Sequence, residues 1–119
     1  MQNKRSLGSE KENLAVSYLT EQNIKLLAKN FYFRGGEIDL IAKDGEYVCF
    51  IEVKYRRSNK FGSPEEAVTP SKQRKIIQGA KVYLYKNRYP TDTPCRFDVI
   101  SVCGQEITWF KDAFDLTGW

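Results

Sequence analysis

The chain has 119 residues, of which 41% are hydrophobic, 13% aromatic and 29% charged, and it contains no histidine. This length fits one compact domain over residues 1–119, with flexible ends expected at 1–8 and 115–119. Without histidine, Ser-His-Asp and Cys-His triads and histidine-bound metals are excluded, so any chemistry must use carboxylates and lysines.

The net charge of +4 is distributed unevenly along the chain. Residues 54–88 hold ten basic and two acidic side chains, a local charge of +8, so the remainder sums to −4. A positive segment after an acidic one suits a polyanion presented to a carboxylate-held metal ion. A set of solvated surface lysines explains the same pattern equally well.

Two features bear on the cellular compartment. No apolar run approaches the roughly 20 residues of a membrane helix, and the polar start lacks the apolar core of a secretion signal. Cys49, Cys95 and Cys103 are odd in number and form no C-x-x-C pair, which argues against a disulfide framework and a zinc ribbon. We expect a cytoplasmic protein with reduced, mostly buried thiols and no membrane partner.

The first predicted element is a helix from about Ser9 to Gln22. Ser9 and Glu12 have the S-x-x-E spacing of a capping box. Apolar residues then recur at helical spacing, namely Leu14, Ala15, Tyr18 and Leu19. Residues 24–33 form a lead-in, with a short edge strand expected around 25–27.

The next stretch predicts a β-hairpin. Two β-rich runs, residues 37–42 and 47–54, flank the dipeptide Asp44-Gly45, which is a strong hairpin signal. With this dipeptide as the loop, the numbers of facing residues sum to 89, and a four-residue loop gives the same register. The hairpin is therefore predicted in one register.

Residues 56–69 are predicted as a loop, with one helical turn at 64–68. Thr69-Pro70 supplies an N-cap followed by proline at the first helical position, so a second helix runs from about Pro70 to Tyr85. Two more strands follow at 97–102 and 106–110, the first joined to the hairpin by the helical crossover. The fold class is α/β, a central mixed sheet of four to five strands flanked by helices.

The predicted register separates charged from apolar side chains. One face of the hairpin carries Glu37, Asp39, Glu52 and Lys54. The other face carries Ile38, Leu40, Ala42, Cys49, Ile51 and Val53. Asp39 and Glu52 become diagonal neighbours with Cα atoms about 7–8 Å apart, close enough to share an ion.

The charged face has two interpretations. An oxygen-rich cluster of this kind suits Mg²⁺ or Mn²⁺, hard ions that also bind phosphate oxygens. An exposed strand face with alternating charges has the same spacing, and E-x-K alone is a weak signal. Glu37 has no assigned role and could equally pair with Lys54 or Arg34.

Several motifs in order resemble the YraN family of small bacterial proteins, whose function is largely unassigned. They are Gly36 to Ala42, Phe50 to Arg56, Phe61 to Pro64, Ala67 to Pro70 with Lys72, and Arg96 to Val99. The resemblance runs from about Gly8 to Phe114. That family in turn resembles Holliday-junction resolvases and the restriction-endonuclease-like superfamily, whose Asp, spacer, Glu-x-Lys pattern falls on Asp39, Glu52 and Lys54.

The resemblance also bears on three other positions. Resolvases of this type use a glutamate on the first helix, and Glu12 occupies the matching place, although the capping box explains it as well. Lys11 stands where family members usually have glycine; its stem can snorkel outward. Tyr55 replaces a commonly smaller residue and could stack on a base or cover the sheet edge.

These observations together suggest hydrolysis of phosphodiester bonds in DNA, favoured over RNA. Asp39 and Glu52 would hold Mg²⁺ or Mn²⁺, with the Val53 carbonyl as a further ligand, and Lys54 would orient water or stabilise the transition state. The residues expected to grip flanking phosphates are Arg56, Arg57, Lys72, Arg74 and Lys75. Such contacts favour structure-selective binding of branched or junction DNA, and resolvase-like proteins act as dimers, so a homodimer is reasonable.

Two other classes of function remain open. The chain could be a nucleic-acid-binding module that keeps the nuclease fold without useful turnover. It could also be a protein-interaction scaffold, for which residues 114–119 are a candidate peg, although sheet cover explains that tail as well.

Overall fold

Two helices flank a five-stranded mixed sheet in the computed structural model, which describes residues 4–56 and 68–114, with backbone alone for 4–9. The elements in chain order are α1 (Lys4–Glu21), β1 (Lys25–Phe33), β2 (Gly36–Asp44), β3 (Tyr47–Tyr55), α2 (Pro70–Lys86), β4 (Cys95–Cys103) and β5 (Glu106–Phe114). The predicted α/β class and number of strands are confirmed.

The strands lie in the sheet in the order in which they occur along the chain. Neighbouring strands are antiparallel except for β3 and β4, which are parallel. A parallel pair needs a long connection, usually a helix, and α2 lies in the segment that joins β3 to β4. The predicted helical crossover is confirmed.

Each face of the sheet has its own apolar core. The α1-side core consists of Ala15, Leu19, Leu40, Ala42, Cys49, Ile51, Ile100 and Val102. The α2-side core consists of Ile38, Ile41, Val48, Phe50, Val68, Ile76, Ile77, Ala80, Tyr83, Phe97 and Val99. Because both faces are covered, the central strands are buried on both sides, and each helix is held in place by its apolar stripe.

Helix α1 begins at Lys4, not at Ser9, although its end at Glu21 is within one residue of the prediction. Ser9 and Glu12 therefore lie inside the helix, and the predicted capping box is wrong. The misleading signal has a physical origin: the residues before Ser9 can also be helical, and the one glycine among them, Gly8, costs only about 1 kcal/mol relative to alanine. Glu12 is thus not engaged in capping.

Strand β1 is longer than the short edge strand expected at 25–27. It runs antiparallel to β2 with a register shift between Leu26 and Ala28, and Asn30 has a φ of 53°. These two irregularities interrupt the alternation of side chains, so the segment lacks the period of two by which a strand is recognised in sequence.

The hairpin of β2 and β3 forms with a register two residues away from the prediction. Asp44 lies opposite Tyr47, so facing numbers sum to 91 and the turn residues are Gly45 and Glu46. Asp44 stays in the strand because its carboxylate accepts a hydrogen bond from Arg96 Nη2 at 2.9 Å. A shift of two residues keeps the predicted faces along the paired segment, and by its numbering Asp39 lies level with Glu52, just beyond the last cross-strand pair, rather than diagonal to it.

Alternation along β2 breaks at Asp39. Leu40 packs in the α1-side core as predicted, whereas Ile38 packs in the α2-side core, so the prediction that they share a face is wrong for Ile38. The break lies beside Asn30 of β1, because Lys29 faces Leu40 and Phe31 faces Ile38. The regular alternation of side chains therefore cannot be used to place Asp39 and Glu37 on the same face of β2.

Helix α2 follows the prediction closely. Thr69 is the N-cap, its hydroxyl accepts a hydrogen bond from the Lys72 backbone N–H at 3.2 Å, and Pro70 is the first helical residue. Arg57 and the helical turn expected at 64–68 lie outside the described residues, apart from the buried Val68. Neither helix, over the part of the chain described, is long and apolar enough to cross a membrane.

The last two strands are joined through the buried carboxylate of Asp98 in β4. Asp98 is fully buried and accepts hydrogen bonds from the Arg96 guanidinium, the Trp109 indole at 2.9 Å and the Asp112 backbone N–H at 2.9 Å. Phe114, the first residue of the proposed scaffold tail, is the last residue of β5, and its ring stacks on that of Phe97 in β4. The rest of that tail lies outside the described residues.

The three cysteines are free, as expected. Burial raises the pKa of the Cys49 thiol to about 12, which keeps it protonated and unreactive near neutral pH. Cys95 and Cys103 are half-buried, and burial also raises the pKa of Cys95.

Close approach of α2 to the sheet depends on Gly79. A Cβ at this position would meet three atoms of the Phe33 ring well inside van der Waals contact. We expect Gly79→Ala to lower the free energy of unfolding by about 1–3 kcal/mol, although alanine favours the helix by about 1 kcal/mol. Urea unfolding measures this change.

Gln78→Ala, at the exposed neighbouring position, is the matched control and should leave stability nearly unchanged. Trimming the ring in the double variant Phe33→Ala with Gly79→Ala should cost less than the sum of the single changes. A Gly79→Ala variant more stable than the parent protein would contradict this packing.

Candidate functional site

A gap opens in the sheet where the ladder between β2 and β3 ends. Their last cross-strand pair is Leu40 with Ile51. Beyond it, β2 continues beside β1 as far as Gly36, and β3 continues beside β4 as far as Tyr55. The two strands therefore each keep one partner while the space between them holds side chains instead of backbone hydrogen bonds.

Asp39 bridges this gap. Its Oδ2 accepts a hydrogen bond from the Val53 backbone N–H at 2.9 Å, in place of a ladder bond. Burial, followed by the charge of Glu52, raises the pKa of Asp39 from 3.8 to about 7, although the Val53 bond lowers it. The proximity of Asp39 and Glu52 that the sequence predicted is thus present.

Glu52 is buried beside two lysines. It is 6% exposed, and its Oε1 lies 3.6 Å from Lys54 Nζ and 3.9 Å from Lys72 Nζ. Burial raises the pKa of Glu52, while both lysines lower it. Its second oxygen, Oε2, has no hydrogen-bond partner among the described residues.

Glu12 and Glu37 add negative charge around Asp39. Both raise the pKa of Asp39, and Glu37 also raises that of Glu52. Glu12 lies on the sheet-facing side of α1, three residues before the buried Ala15, so the helix places it toward the gap. Among the described ion pairs Lys54 is bound to Glu52, and neither it nor Arg34 is paired with Glu37.

The residues predicted to bind phosphates lie at different distances from the site. Lys72 reaches the site itself, because α2 starts beside the end of β3 and Lys72 lies in its first turn. Arg74 and Lys75 are exposed on α2, and Arg56 is half-buried with its backbone N–H bonded to Val102. Arg57 lies outside the described residues, so its position stays a prediction.

The role of Lys72 beside Glu52 was missed at the sequence level. A signal existed: Thr69-Pro70 sets the start of the crossover helix, and ligand sites form outside the carboxyl ends of strands. β3 ends at Tyr55, and its carboxyl end carries Glu52 and Lys54. The first turn of the next helix is therefore the place to look for a further site residue.

The acid pair fits a divalent cation in its donor chemistry. The half-buried Asp39 and the buried Glu52 repel each other, and among the described residues no donor reaches Glu52 Oε2. Within the described residues no three acidic or cysteine side chains form a metal-binding group. A metal here would thus have Asp39 and Glu52 as side-chain ligands, completed by the Val53 carbonyl and water, which suits the few protein ligands that Mg²⁺ requires.

The fold and the site together define a small α/β domain with a mixed sheet whose open end carries a half-buried and a buried carboxylate and two lysines. The chain belongs to the Uncharacterised protein family UPF0102, whose model matches residues 11–102. The predicted membership of the YraN family is confirmed.

Three relatives illustrate the extent of the similarity. A UPF0102 protein of Lachnoclostridium phytofermentans is 49% identical over 116 residues, 98% of both chains. A UPF0102 protein of Geobacter metallireducens is 47% identical over 116 residues, 94% of both chains. The UPF0102 protein YraN of Salmonella newport is 42% identical over 113 residues, 94% of this chain and 86% of its own.

The raised pKa of Asp39 predicts how stability depends on pH without metal. The folded-state pKa of about 7 exceeds the ordinary 3.8, so the folded state binds the proton more tightly, and stability falls as pH rises through this interval. In chelator, the free energy of unfolding should drop by on the order of 2–4 kcal/mol between about pH 5 and pH 8.

Asp39→Asn should remove most of that drop, because an amide oxygen still accepts the Val53 hydrogen bond but carries no charge. Glu46→Gln, an equal change of charge in the exposed turn, should preserve it. Urea titrations at both pH values measure the difference. A drop of the same size in Asp39→Asn would contradict the assignment to Asp39.

Proposed function

We propose that this protein is a metal-dependent endonuclease that cleaves DNA, with selectivity for branched or junction structures. The observation that carries this proposal is the arrangement around Glu52: a buried carboxylate, one of whose oxygens has no hydrogen-bond partner among the described residues, beside Asp39 and flanked by two lysines. Structural ion pairs rarely leave a buried carboxylate oxygen without a donor. The arrangement is better suited to a cation and an anionic substrate.

The charges of the site match those of a phosphodiester reaction. Asp39 and Glu52 would bind Mg²⁺ or Mn²⁺ with the Val53 carbonyl. When bound, such an ion supplies Lewis acidity at a phosphate oxygen and lowers the pKa of a coordinated water. The side chain of Lys54 is 32% exposed, so its ammonium group can reach a substrate phosphate while remaining beside Glu52.

The two lysines have distinct positions. Lys54 is fixed by the sheet, two residues after Glu52 on the same face of β3, and would orient the attacking water or stabilise charge in the transition state. Lys72 comes from the N-terminal turn of α2, where the helix dipole also favours an anion. Lys72 would hold the reacting phosphate, whereas Arg74 and Lys75 would contact flanking phosphates.

Selectivity would come from shape. Contacts from lysine and arginine to phosphates set position and orientation but do not read base sequence. Glu12 would add a carboxylate from the α1 side, as the resemblance to resolvases implies. The same resemblance supports a homodimer, because two copies of one site can act on both strands of a junction.

A nucleic-acid-binding module without turnover is the second candidate. It is favoured by the ion pairs of Glu52 with Lys54 and Lys72, since these satisfy one carboxylate oxygen without any metal. In that case the lysines serve phosphate binding alone. The two candidates predict different effects of divalent ions. A nuclease would cleave the nucleic acid when the ions are added, whereas a binding module would only change its affinity for the nucleic acid.

Purified protein should cleave branched DNA faster than linear duplex in Mg²⁺ or Mn²⁺. Asp39→Asn and Lys54→Ala should each lower the cleavage rate by about 10²–10³-fold, since each removes a group that acts on the reacting phosphate. Glu46→Gln is the control and should cleave normally. Cleavage that persists in both site variants would indicate a contaminant, and binding without cleavage on any substrate would favour the module.

Lys72 and Lys75 offer a matched comparison within one helix. Lys72→Ala should lower kcat by about tenfold or more, because this lysine lies at the site. Lys75→Ala should raise KM with little change in kcat, because Lys75 is exposed on the helix surface. If both variants change KM alone, Lys72 is a flanking phosphate contact as first predicted.

A further inference from the structure

A second cationic surface lies at the C-terminal end of α2. Tyr85, Lys86, Arg88 and Tyr89 line a concavity of about 500 Å³. Lys43 of β2 reaches the same place, with its Nζ 5.9 Å from the centre of the Tyr89 ring. With Lys25, the cross-strand partner of Lys43, these residues are called the distal patch.

Two of the three lysines of the distal patch are unfavourably placed for an empty surface. Lys25 and Lys43 are directly opposite across β1 and β2, and like charges in that position destabilise a sheet. Both point to the α2 side, because their neighbours Leu26 and Ala42 pack with the α1-side core. A bound anion would relieve this repulsion.

The aromatic part of the distal patch is exposed yet firmly anchored. Tyr85 is 86% exposed. Tyr89 is fixed from below, since its ring lies 6.1 Å from that of the buried Tyr83 and its backbone N–H donates to the Leu84 carbonyl at 2.9 Å. Exposed aromatic rings among cations are the pairing that single-stranded nucleic acids use, with bases on the rings and phosphates on the cations.

Arg88 occupies a position that favours glycine. Its φ is 58°, directly after the C-cap Asn87, where the left-handed conformation ends the helix. An L-residue other than glycine or asparagine costs about 1–2 kcal/mol there. The arginine thus lowers stability relative to glycine, although a positive charge near a helix C-terminus recovers part of the difference.

Helix α2 connects the distal patch to the candidate site. Its 17 residues span about 25 Å, which equals roughly seven base-pair steps of duplex. The helix carries five basic residues and no acidic one. Three of the basic residues are exposed between its ends, namely Arg74, Lys75 and Lys81. A polyanion that leaves the Glu52 site along this helix arrives at Tyr85.

We propose that the distal patch binds unpaired nucleotides of the substrate, with a base stacked on Tyr85 and phosphates on Lys43, Lys86 and Arg88. The proposal rests on the nucleic-acid substrate proposed above and specifies its form: an unpaired strand about 25 Å from the site of reaction. A junction or flap provides such a strand, whereas a continuous duplex does not.

The test measures binding to the whole protein in chelator, where cleavage plays no part. Two fluorescent probes of equal length are used, an oligo-dT strand and an abasic strand, which carry the same phosphates with and without bases. The parent protein should bind oligo-dT about tenfold more tightly, and Tyr85→Ala should remove this preference, because stacking contributes about 1–3 kcal/mol per base. Tyr85→Phe should retain it.

Arg88→Gly separates binding from folding. Glycine relieves the left-handed backbone, so thermal stability should stay equal or rise, while affinity for both probes falls severalfold. If Arg88→Gly lowered thermal stability instead, the role of Arg88 would be to stabilise the end of the helix rather than to bind phosphate. Tyr32→Ala removes another exposed tyrosine, at the far end of β1, and should leave the preference for bases unchanged.

Three outcomes would overturn the proposal: equal affinity of the parent protein for both probes, an equal loss for both in Tyr85→Ala, and displacement of oligo-dT by poly-glutamate at equal charge. The last would identify a surface for acidic peptides or any polyanion. These outcomes are separate from the proposed catalysis, since duplex binding that depends on Lys75 and cleavage that depends on Asp39 are measured independently.

Discussion

The hydrogen bond from Val53 N–H to Asp39 Oδ2 is the contact around which the site is arranged. Where the β2–β3 ladder ends, the partly buried Val53 N–H would otherwise lack a partner, at a cost of up to about 1–3 kcal/mol. A side-chain carboxylate fills that place, so the separation of the strands and the partly buried acid between them are one feature. Once Asp39 is held there, its carboxylate lies close to that of Glu52 on β3.

The rest of the fold supplies what surrounds this pair. The α2-side core seats the crossover helix so that its first turn brings Lys72 to Glu52, and the α1-side core turns Glu12 toward the gap. At the opposite end, the bonds of Arg96 to Asp98 and Asp44 hold the hairpin turn in register. Two layers of apolar packing thus position charges that would separate in solvent.

The sequence predicted the elements better than their pairing. Both helices, the crossover and the proximity of Asp39 to Glu52 follow from local patterns, because caps, prolines and alternating runs act over a few residues. The hairpin register was two residues out, since Asp44 is held in the strand by Arg96, which lies 52 residues later. No local pattern encodes such a contact.

The remaining errors have a related cause. The predicted face of Ile38 was wrong because the alternation of side chains in β2 breaks at Asp39. This break lies beside Asn30 of β1, which has a left-handed backbone, so it depends on the neighbouring strand. The start of α1 was wrong because a capping signal competes with helix formation upstream. The start of α2 at Thr69-Pro70 indicates which residues form its first turn, but the contact of Lys72 with Glu52 also depends on how α2 docks, and Gly79 and Phe33 pack closely there. Tertiary contacts account for the first and the last of these, and competing local signals account for the start of α1.

Lys11 and Tyr55, the two positions at which the resemblance leads us to expect smaller residues, touch each other. The Lys11 ammonium lies 4.7 Å from the centre of the Tyr55 ring, so the lysine covers the end of β3 instead of extending into solvent. A helix with glycine at position 11 would leave that ring bare, and a small residue at 55 would leave the lysine nothing to cover. We therefore expect the two positions to vary together among relatives, with lysine accompanying an aromatic ring and glycine accompanying a small side chain.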